Sequence, residues 1–368
     1  MKITDIEIST HRIDLDPPFN ASWDTRPRRS FAATITRVHT NEGITGIASG
    51  DEMLGFERFK DLFIGHDPRD IERHARIIDN LSFHYSRYWP LDLALWDLIG
   101  KAAHQPVWRL LGASSGKVAL YASSGTLRDT AAMADIAQRF RAEGFKGMKI
   151  RFHRGNWRDD IKALEAVRTA VNDKLDLMVD CNQGWRMIWD IEESWKLKDA
   201  VLVARELERL GVYWMEEPLW RGDWKGLKAL RDSTDVRIAV GEMNRELYEF
   251  AHMIEQRCID ILQPDAALTG GITGLRCIAA QCREAGLLFT PHTWTNGVGL
   301  IANLHLSAAC CNAPFVEFPY DPPEWTPARR DFMMVRPRDA SNGMIELGDA
   351  PGLGIEYDER RLAETRIG

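Results

Sequence analysis

The sequence predicts an α/β protein built on a (β/α)8 barrel, with a smaller α+β domain before it. From about residue 118 onward, short apolar runs alternate with amphipathic helical segments, which is typical of a parallel sheet covered by helices. There are eight such runs, the number of strands in a TIM-type barrel. The predicted strands are VALYASS (118–124), GMKIRF (147–152), LDLMVDCN (175–182), VYWMEEP (212–218), RIAVGEM (237–243), IDILQPDA (259–266), LLFTPH (287–292) and FVEFP (315–319).

The N-terminal part follows a different pattern. Residues 2–12 and 31–41 alternate between apolar and polar side chains, which predicts two antiparallel strands. The segment 14–30 between them is rich in Pro, Asp and Arg and predicts a long surface loop. Residues 56–112 then have helical periodicity. We therefore predict an N-terminal α+β domain (1–115), a barrel (116–330) and a C-terminal segment (331–368) that returns to the first domain.

Composition excludes several classes of protein. The 368 residues include 47 Lys+Arg and 54 Asp+Glu, so the net charge is −7 and no basic face indicates a nucleic-acid partner. Apolar runs are too short to cross a membrane, and the N-terminus lacks the apolar core of a signal peptide. The six cysteines form no CxxC pair. These features predict a cytoplasmic protein with no membrane partner.

Charged side chains end consecutive strands of the predicted barrel, where active sites of such barrels lie. Asp180, Glu216 and Glu242 end three neighbouring strands. Charged groups crowded at a barrel mouth must be paired or bind a metal, because isolated burial costs several kcal/mol. Three carboxylates make an all-oxygen site that suits Mg²⁺, with Mn²⁺ as a substitute. A carboxylate substrate facing such an ion becomes an enediolate when it loses its α-proton.

The next three strands end in a second set of polar residues. Asp265 and His292 follow adjacent strands, and a carboxylate bonded to one imidazole nitrogen makes the other nitrogen a general base. Glu317 ends the last strand, where a protonated carboxyl would donate a hydrogen bond to the substrate carboxylate. The pattern therefore predicts a base dyad beside the metal site.

These motifs resemble the enolase superfamily, in its mandelate racemase-like subgroup and its acid-sugar dehydratases. The resemblance rests on LALWDLIGKAAHQPVWRLLG, GMKIRFH, LMVDCNQGW, YWMEEPLW, AVGEMN, ILQPDAALTGGITG, PHTW, FVEFP and PGLGIE, in that order along the chain. It implies Asp180, Glu216 and Glu242 as Mg²⁺ ligands, His292 and Asp265 as the base dyad, Glu317 as the electrophilic acid and Lys149 as a cation near the substrate carboxylate. It also implies that the first domain caps the barrel through two loops, here about 14–30 and 48–56, and that the protein forms homo-oligomers.

One residue departs from the family pattern. Racemases of this subgroup carry Lys-x-Lys on the second barrel strand, and the second lysine is a base on the opposite face of the substrate. Arg151 takes that position here, and a guanidinium stays protonated at working pH. A one-base reaction remains, in which His292 removes the α-proton and the β-hydroxyl leaves as water. The predicted enzyme is a hydro-lyase that forms a 2-keto-3-deoxy acid.

The expected substrate is a small hydroxylated carboxylate, namely a mono- or diacid sugar. Candidate substrate contacts are Arg26, Arg28 and Arg29 at its far end, Trp23 and Trp294 as pocket walls, and Asn182 toward a hydroxyl; Lys149 and Arg151 would clamp anionic oxygens. His153 is a weaker candidate for a second proton carrier. Four alternatives stay open: an epimerase or racemase, a lactone cycloisomerase, a Schiff-base aldolase using Lys149, and a non-catalytic ligand-binding barrel.

Overall fold

A computed structural model describes residues 1–50 and 53–368. The N-terminal domain is a three-stranded antiparallel sheet with helices packed on it, and its strand order is β1-β2-β3. Its elements are β1 (Ile3–Phe19), β2 (Arg28–Thr40), β3 (Thr45–Gly50), α1 (Ile71–His84), α2 (Pro90–Ala102) and α3 (Val107–Leu110), with a 3-10 turn at Phe56–Leu62. Helix α2 packs against β2 and β3, and ten of its residues are buried.

The sequence predicts a loop over residues 14–30, but the loop in the structure is shorter, because β1 runs to Phe19 and β2 begins at Arg28. Strand β1 lies at an edge of the sheet and pairs only with β2. Pro17 and Pro18 have no backbone N–H to donate, and an edge strand tolerates them because no strand lies on its outer side. The register between β1 and β2 shifts between Asp14 and Phe19, which absorbs the extra residues. The loop itself therefore covers only 20–27. The other predicted cap loop, 48–56, lies partly outside the described residues, at 51–52.

The eight predicted barrel strands are all present, and they pair in parallel in chain order. They are β4 (Lys117–Ser123), β5 (Gly147–Arg151), β6 (Asp176–Asp180), β7 (Trp214–Glu216), β8 (Arg237–Val240), β9 (Ile261–Leu262), β10 (Leu288–Phe289) and β11 (Val316–Pro319). The helices between them are α4 (Thr130–Ala142), α5 (Trp157–Val171), α6 (Leu197–Arg209), α7 (Trp224–Arg231), α8 (Leu247–Gln256), α9 (Gly271–Glu284) and α10 (Gly297–Cys310).

The last strand, β11, pairs with the first, β4, and side chains close the ring between β10 and β11. Thr290 Oγ1 donates to the Phe315 carbonyl at 3.1 Å, and Asn312 bonds the backbone of Leu287 and Phe289. The barrel is modified at its end, because the eighth strand is followed by the single-turn helix α11 (Pro327–Arg330) and not by a long helix.

The C-terminal chain joins the barrel to the N-terminal domain. Strand β12 (Met344–Glu346) pairs antiparallel with β4 on the barrel. Helix α12 (Glu359–Thr365) then packs against β1, where the Ile367 amide donates to the Thr10 carbonyl at 2.8 Å. The exact domain boundaries stay a prediction. The described part of the chain has no helix long and apolar enough to span a membrane.

Candidate active site

The strand register of the barrel sets the height of the charged groups at its mouth. Arg151 on β5 pairs with Asp180 on β6, and Asp180 pairs with Glu216 on β7. Because parallel strands in this register end at one level, their last side chains meet at the carboxyl edge. Glu242 follows the end of β8 by two residues and joins them.

The three predicted metal ligands lie together. Asp180, Glu216 and Glu242 each offer a carboxylate oxygen within 4.8 Å of the other two, and all three are buried. Burial raises the pKa of both Asp180 and Glu216, since a buried carboxylate loses its hydration. Lys149 and Arg151 pair with Glu216 and Asp180 and offset part of the repulsion among the three acids. The converging carboxylate oxygens are ligands that a divalent ion such as Mg²⁺ prefers, so the arrangement suits such an ion.

Glu242 provides the observation that tests this fit. Its Oε1 accepts a hydrogen bond from Trp185 Nε1 at 2.7 Å, whereas its buried Oε2 has no hydrogen-bond partner. Leaving a buried charged acceptor unsatisfied costs several kcal/mol, and an oxygen-seeking cation would satisfy it. Glu216 Oε2, in contrast, accepts from Trp214 Nε1 and Gln263 Nε2, both at 3.0 Å, which fixes that side chain in place. The donor set therefore fits Mg²⁺.

Lys149 and Glu317 form a buried ion pair beside the acids. Lys149 Nζ donates to Glu216 and lies 2.7 Å from Glu317 Oε1. Burial lowers the pKa of Lys149, but the two carboxylates outweigh burial and raise it, so the amine stays charged. A charged amine is not a nucleophile, which argues against Schiff-base chemistry at this residue.

The structure differs from the expectation that Glu317 is a protonated acid. Burial raises the pKa of Glu317, but Lys149, His292 and Arg151 outweigh it and lower the value to about 2. The carboxylate accepts hydrogen bonds from Ser123 Oγ and from the Thr293 amide, both at 2.8 Å. These contacts favour the ionised carboxylate that pairs with Lys149, and the role of Glu317 as the electrophilic acid stays a prediction.

Hydrogen bonds and two aromatic rings fix the position of the Arg151 side chain. It donates to Asp180 and, from Nε, to the Ser124 carbonyl at 2.9 Å. Its guanidinium carbon lies 4.7 Å from the ring centroid of Trp23 and 5.4 Å from that of Trp294. Two aromatic faces and a carboxylate favour the cation strongly, so this side chain cannot accept a proton from a substrate.

The two residues of the predicted base dyad, His292 and Asp265, are hydrogen-bonded to each other. His292 Nδ1 lies 3.0 Å from Asp265 Oδ2, which places Nε2 as the free nitrogen; that nitrogen is 3.5 Å from Glu242 Oε2. Burial lowers the pKa of His292, but Glu242, Glu317 and Asp265 raise it to about 9. A cation bound at Glu242 would oppose that carboxylate's effect and favour the neutral ring that accepts protons.

Sequence reasoning missed the residue that orients the dyad. Asn303 Nδ2 donates to Asp265 Oδ1 at 2.8 Å, and Asn303 Oδ1 accepts from the Ala266 amide at 2.9 Å. The signal was present, because this asparagine lies among apolar residues in the helix GVGLIANLHLSAAC. Ser123 and Thr293, which hold Glu317, gave no signal in the sequence.

The loop 20–27 of the N-terminal domain lies on the barrel mouth. The Ser22 amide donates to the Gly125 carbonyl at 2.8 Å, and the Ser22 carbonyl accepts from His153 Nδ1 at 2.6 Å. His153 is therefore a contact of this loop and does not face the cavity. Asn182 also faces the loop, since its Oδ1 accepts from Ser22 Oγ at 3.4 Å, and it is not among the residues that line the cavity, so its contact with a substrate hydroxyl stays a prediction. The backbone amide of Asn182 donates to Asp180 Oδ1 at 2.9 Å.

A cavity of about 210 Å³ opens between this loop and the strand ends. His292, Glu242 and Arg151 line it, together with the predicted wall residues Trp23 and Trp294. Of the three arginines proposed for the loop, Arg28 lines the cavity, whereas Arg26 packs its guanidinium carbon 4.6 Å from the Trp189 ring. The remaining lining residues are Leu15, Phe19, Ser30, Phe31, Trp185, Met187, Met243, Leu268, Thr295 and Trp325.

Comparison with known families agrees with this geometry. Residues 3–112 match the family described as mandelate racemase / muconate lactonizing enzyme, N-terminal domain. Residues 132–361 match the family described as enolase C-terminal domain-like. The chain belongs to the enolase superfamily. Within it, this member falls in the mandelate racemase-like group.

Relatives in this superfamily carry out several reactions. Arabinonate dehydratase from Saccharolobus solfataricus is 32% identical over 268 residues, which cover 72% of this chain and 68% of that protein. D-Galactarolactone cycloisomerase from Agrobacterium fabrum is 28% identical and covers 100% of this chain and 99% of that protein. Dehydratases are lyases and cycloisomerases are isomerases, so the relatives indicate an enzyme but leave its reaction and its substrate undetermined.

Solved structures of the superfamily have the same fold. L-Talarate/galactarate dehydratase from Salmonella typhimurium LT2 superimposes with a TM-score of 0.85 at 26% identity, over 100% of this chain and 92% of that one. A variant of an L-talarate/galactarate dehydratase has been solved with Mg and L-glucarate, with a TM-score of 0.85 at 25% identity and the same coverage. Magnesium is thus a cofactor of the superfamily members that this chain resembles.

Proposed function

We propose that this protein is a Mg²⁺-dependent acid-sugar dehydratase. It would remove the α-proton of a hydroxylated carboxylate and eliminate the β-hydroxyl as water, leaving a 2-keto-3-deoxy acid. The observation that carries the proposal is the placement of one base and one fixed cation: His292, held by Asp265, lines the same cavity as Arg151. We also propose that Mn²⁺ substitutes for Mg²⁺, and that the protein acts in the cytoplasm as a homo-oligomer on a small-molecule carboxylate.

Asp180, Glu216 and Glu242 would hold the ion, and the unsatisfied Oε2 of Glu242 supports this. The bound cation would stabilise the negative charge that develops on the substrate carboxylate as the α-proton leaves. Lys149 and Arg151 add fixed positive charge beside these acids. Such preorganised charge typically supplies a large share of the barrier reduction.

His292 performs the proton transfers in this proposal. The proton on Nδ1 stays on the ring and is donated in a hydrogen bond to Asp265 Oδ2, so Nε2 accepts the α-proton and the ring becomes an imidazolium. The bond from the β-carbon to its hydroxyl then breaks, and the imidazolium returns the proton to the departing oxygen as water. The resulting enol takes a proton at C3 and loses its hydroxyl proton, which yields the ketone.

Racemisation is disfavoured because it needs a proton acceptor on each face of the substrate. The described residues that line the cavity include one histidine, His292, and no lysine or aspartate that could serve as a second base. Arg151 occupies the position of the second base in the family pattern, and it remains protonated.

A lactone or ring-ether cycloisomerase is the second candidate. The same single base serves it, since the β-oxygen that leaves belongs to a ring and the product is an isomer of the substrate. The full-length similarity to D-galactarolactone cycloisomerase supports this alternative. The two candidates differ only in whether water is released.

A panel of mono- and diacid sugars and their lactones, assayed with Mg²⁺, with Mn²⁺ and with EDTA, tests the proposal. A dehydratase gives a semicarbazide-reactive keto acid of mass lower by one water, and EDTA abolishes it. A keto or ring-opened acid of unchanged mass would assign cycloisomerisation and overturn dehydration. Deuterium at the α-carbon without keto acid would indicate epimerisation, and activity in EDTA would overturn the metal-dependent chemistry altogether.

A further inference from the structure

Glu242 differs from the other two acids of the site in how its side chain is held. Asp180 and Glu216 are the last residues of β6 and β7, so the strand register fixes their height. Glu242 lies beyond the end of β8 and follows Gly241, whose φ of 131° is outside the range of a strand. Among the described residues, Trp185 is the one hydrogen-bond donor to its carboxylate, through Nε1 at 2.7 Å. The position of this acid therefore depends on an indole.

The indole donor belongs to a compact loop of residues 183–195 between β6 and α6. Gln183 Oε1 accepts from the Trp195 amide at 3.0 Å, which joins the two ends of this 183–195 loop. Arg186 fills its interior and donates to Gln183 Oε1 at 2.9 Å and to the Glu192 carbonyl at 3.2 Å. Loops whose ends meet and whose own side chains pack inside them are compact Ω-loops. We therefore expect the 183–195 loop to move as one unit.

The far side of the 183–195 loop contacts the N-terminal domain. Trp189 Nε1 donates to Asp24 Oδ1 at 3.0 Å. The guanidinium carbon of Arg26 lies 4.6 Å from the centroid of the same indole ring. One tryptophan of this loop thus contacts an acid of the metal site, and another contacts the loop 20–27 that covers the barrel mouth.

We propose that Trp185 is a positioning residue for Glu242, and that the 183–195 loop couples the metal site to the loop 20–27. The bond from the indole fixes Oε1 of the carboxylate and leaves the buried Oε2 for a cation. Seating of the loop 20–27 on the barrel favours this arrangement, so by reciprocity cation binding favours the seated loop by the same factor. The inference rests on the proposed function, because it takes the three acids as Mg²⁺ ligands.

Calorimetric titration of Trp185→Phe with Mg²⁺ and with Ca²⁺ tests the positioning role. The variant keeps an aromatic ring and removes the donor to Glu242, and circular dichroism checks that it folds. Mg²⁺ requires near-ideal octahedral ligands, so its affinity should fall about tenfold or more. Ca²⁺ accepts irregular ligands, so its affinity should fall by less than about threefold. Unchanged Mg²⁺ affinity, or equal losses for the two ions, would overturn the positioning role.

The 183–195 loop also supplies a matched control. Ile191 is 95% exposed, and Ile191→Ala should leave the affinities for both ions unchanged. A loss of Mg²⁺ affinity in this control equal to that in Trp185→Phe would show that any change in the loop disturbs the site, and it would overturn the specific role of the indole.

A double-mutant cycle tests the coupling to the N-terminal domain. Trp189→Phe removes the donor to Asp24 and should weaken Mg²⁺ binding about threefold in the otherwise unaltered protein. In the Trp185→Phe background the same change should have no further effect, because the coupling passes through the bond to Glu242. No loss in the single variant, or the full loss in both backgrounds, would overturn the coupling.

Hydrogen exchange on the unaltered protein tests the coupling without any substitution. Saturating Mg²⁺ should slow amide exchange at residues 20–27 and 183–195 by about threefold, as reciprocity requires. Exchange in β12, which pairs with the N-terminal half of β4, should not change. Unchanged exchange at residues 20–27 would overturn the coupling.

The two proposals fail in different ways. The expected response of Trp185→Phe to both ions, with no turnover of any acid in the panel, would refute the proposed elimination and leave the positioning role intact. Dehydration by the wild type, with unaltered Mg²⁺ affinity in Trp185→Phe, would refute the positioning role and leave the elimination intact.

Discussion

The side chain of Asn303 helps to fix the orientation of the Asp265 carboxylate. Asp265 accepts hydrogen bonds at Oδ1 from Asn303 and from the Ala267 amide, so only Oδ2 is left for His292. Partners of this kind fix the tautomer and orientation of an imidazole base. We therefore place Asn303 as a positioning residue that acts through Asp265.

Replacing Asn303 by Ala should lower kcat by about 10- to 100-fold, because Asp265 would no longer hold the imidazole in one orientation. KM and Mg²⁺ affinity should change by less than about twofold, since Asn303 contacts neither the cavity nor the acid cluster. Steady-state kinetics with calorimetric Mg²⁺ titration measure both. The exposed Asn80→Ala variant on α1 is the matched control. A KM effect without a kcat effect would contradict the positioning role.

The sequence predicts residues at strand ends better than the partners that orient them. Asp180, Glu216 and Glu242 were predictable because parallel strands bring their carboxyl ends to one edge. The charge state of Glu317 was not, since it depends on Lys149, which lies on a strand 168 residues earlier in the chain. Long-range side-chain contacts of this kind leave no local pattern.

At the scale of elements, α10 connects three parts of the molecule through one buried histidine. His305 Nδ1 accepts from the Trp108 amide on α3 at 3.0 Å, and Nε2 donates to the Leu353 carbonyl at 3.2 Å. Burial lowers the pKa of His305 to about 4, because a charged ring here would lose its hydration. The neutral imidazole ring therefore joins this helix to α3 of the N-terminal domain and to the C-terminal segment.

His305 makes the folded state less stable as the pH falls. The unfolded chain protonates His305 near its ordinary pKa and the folded chain only near 4, so lowering pH from about 6.5 to 4 favours unfolding. The loss approaches about 3 kcal/mol, at no more than about 1.4 kcal/mol per pH unit. Urea unfolding of the wild type and of His305→Gln across this range measures it. The variant should be less stable at pH 7 but should vary less with pH; parallel pH curves would contradict the prediction.

Element boundaries show where sequence reasoning fails. Helical and strand periodicities located all eight barrel strands, because each repeats one β/α unit. The continuation of β1 to Phe19 was missed, since Pro17 and Pro18 suggest a loop unless the strand is known to lie at an edge. Likewise, the eighth helix is reduced to the turn at Pro327–Arg330, which repeat counting alone does not predict.

For the whole molecule, the N-terminal domain completes the cavity by placing one loop on the barrel. Two hydrogen bonds hold the loop on the barrel. His153 Nδ1 donates to the Ser22 carbonyl, and Trp189 Nε1 donates to Asp24 Oδ1 at 3.0 Å. Trp23 lies between them and faces Arg151. The position of this loop therefore shapes the cavity in which we propose that the substrate binds.

Replacing His153 by Ala should loosen the loop and raise KM by about tenfold, with a smaller effect on kcat. Hydrogen exchange at residues 20–27 should become faster, which a change confined to catalysis would not cause. His84→Ala, at an exposed histidine of α1, serves as the control. A fall in kcat with unchanged KM and unchanged exchange would show that His153 carries protons and does not anchor the loop.

The most direct test of the account compares the wild type with His292→Asn in Mg²⁺ and D2O. Exchange of the substrate α-proton is followed by NMR, with calorimetric Mg²⁺ binding on both proteins. We predict that exchange and turnover fall by about 10³-fold or more in His292→Asn, as expected for loss of a general base, while Mg²⁺ affinity stays within about threefold. Exchange that persists in the variant, or Mg²⁺ binding that disappears with the imidazole, would contradict the assignment of base and metal ligands.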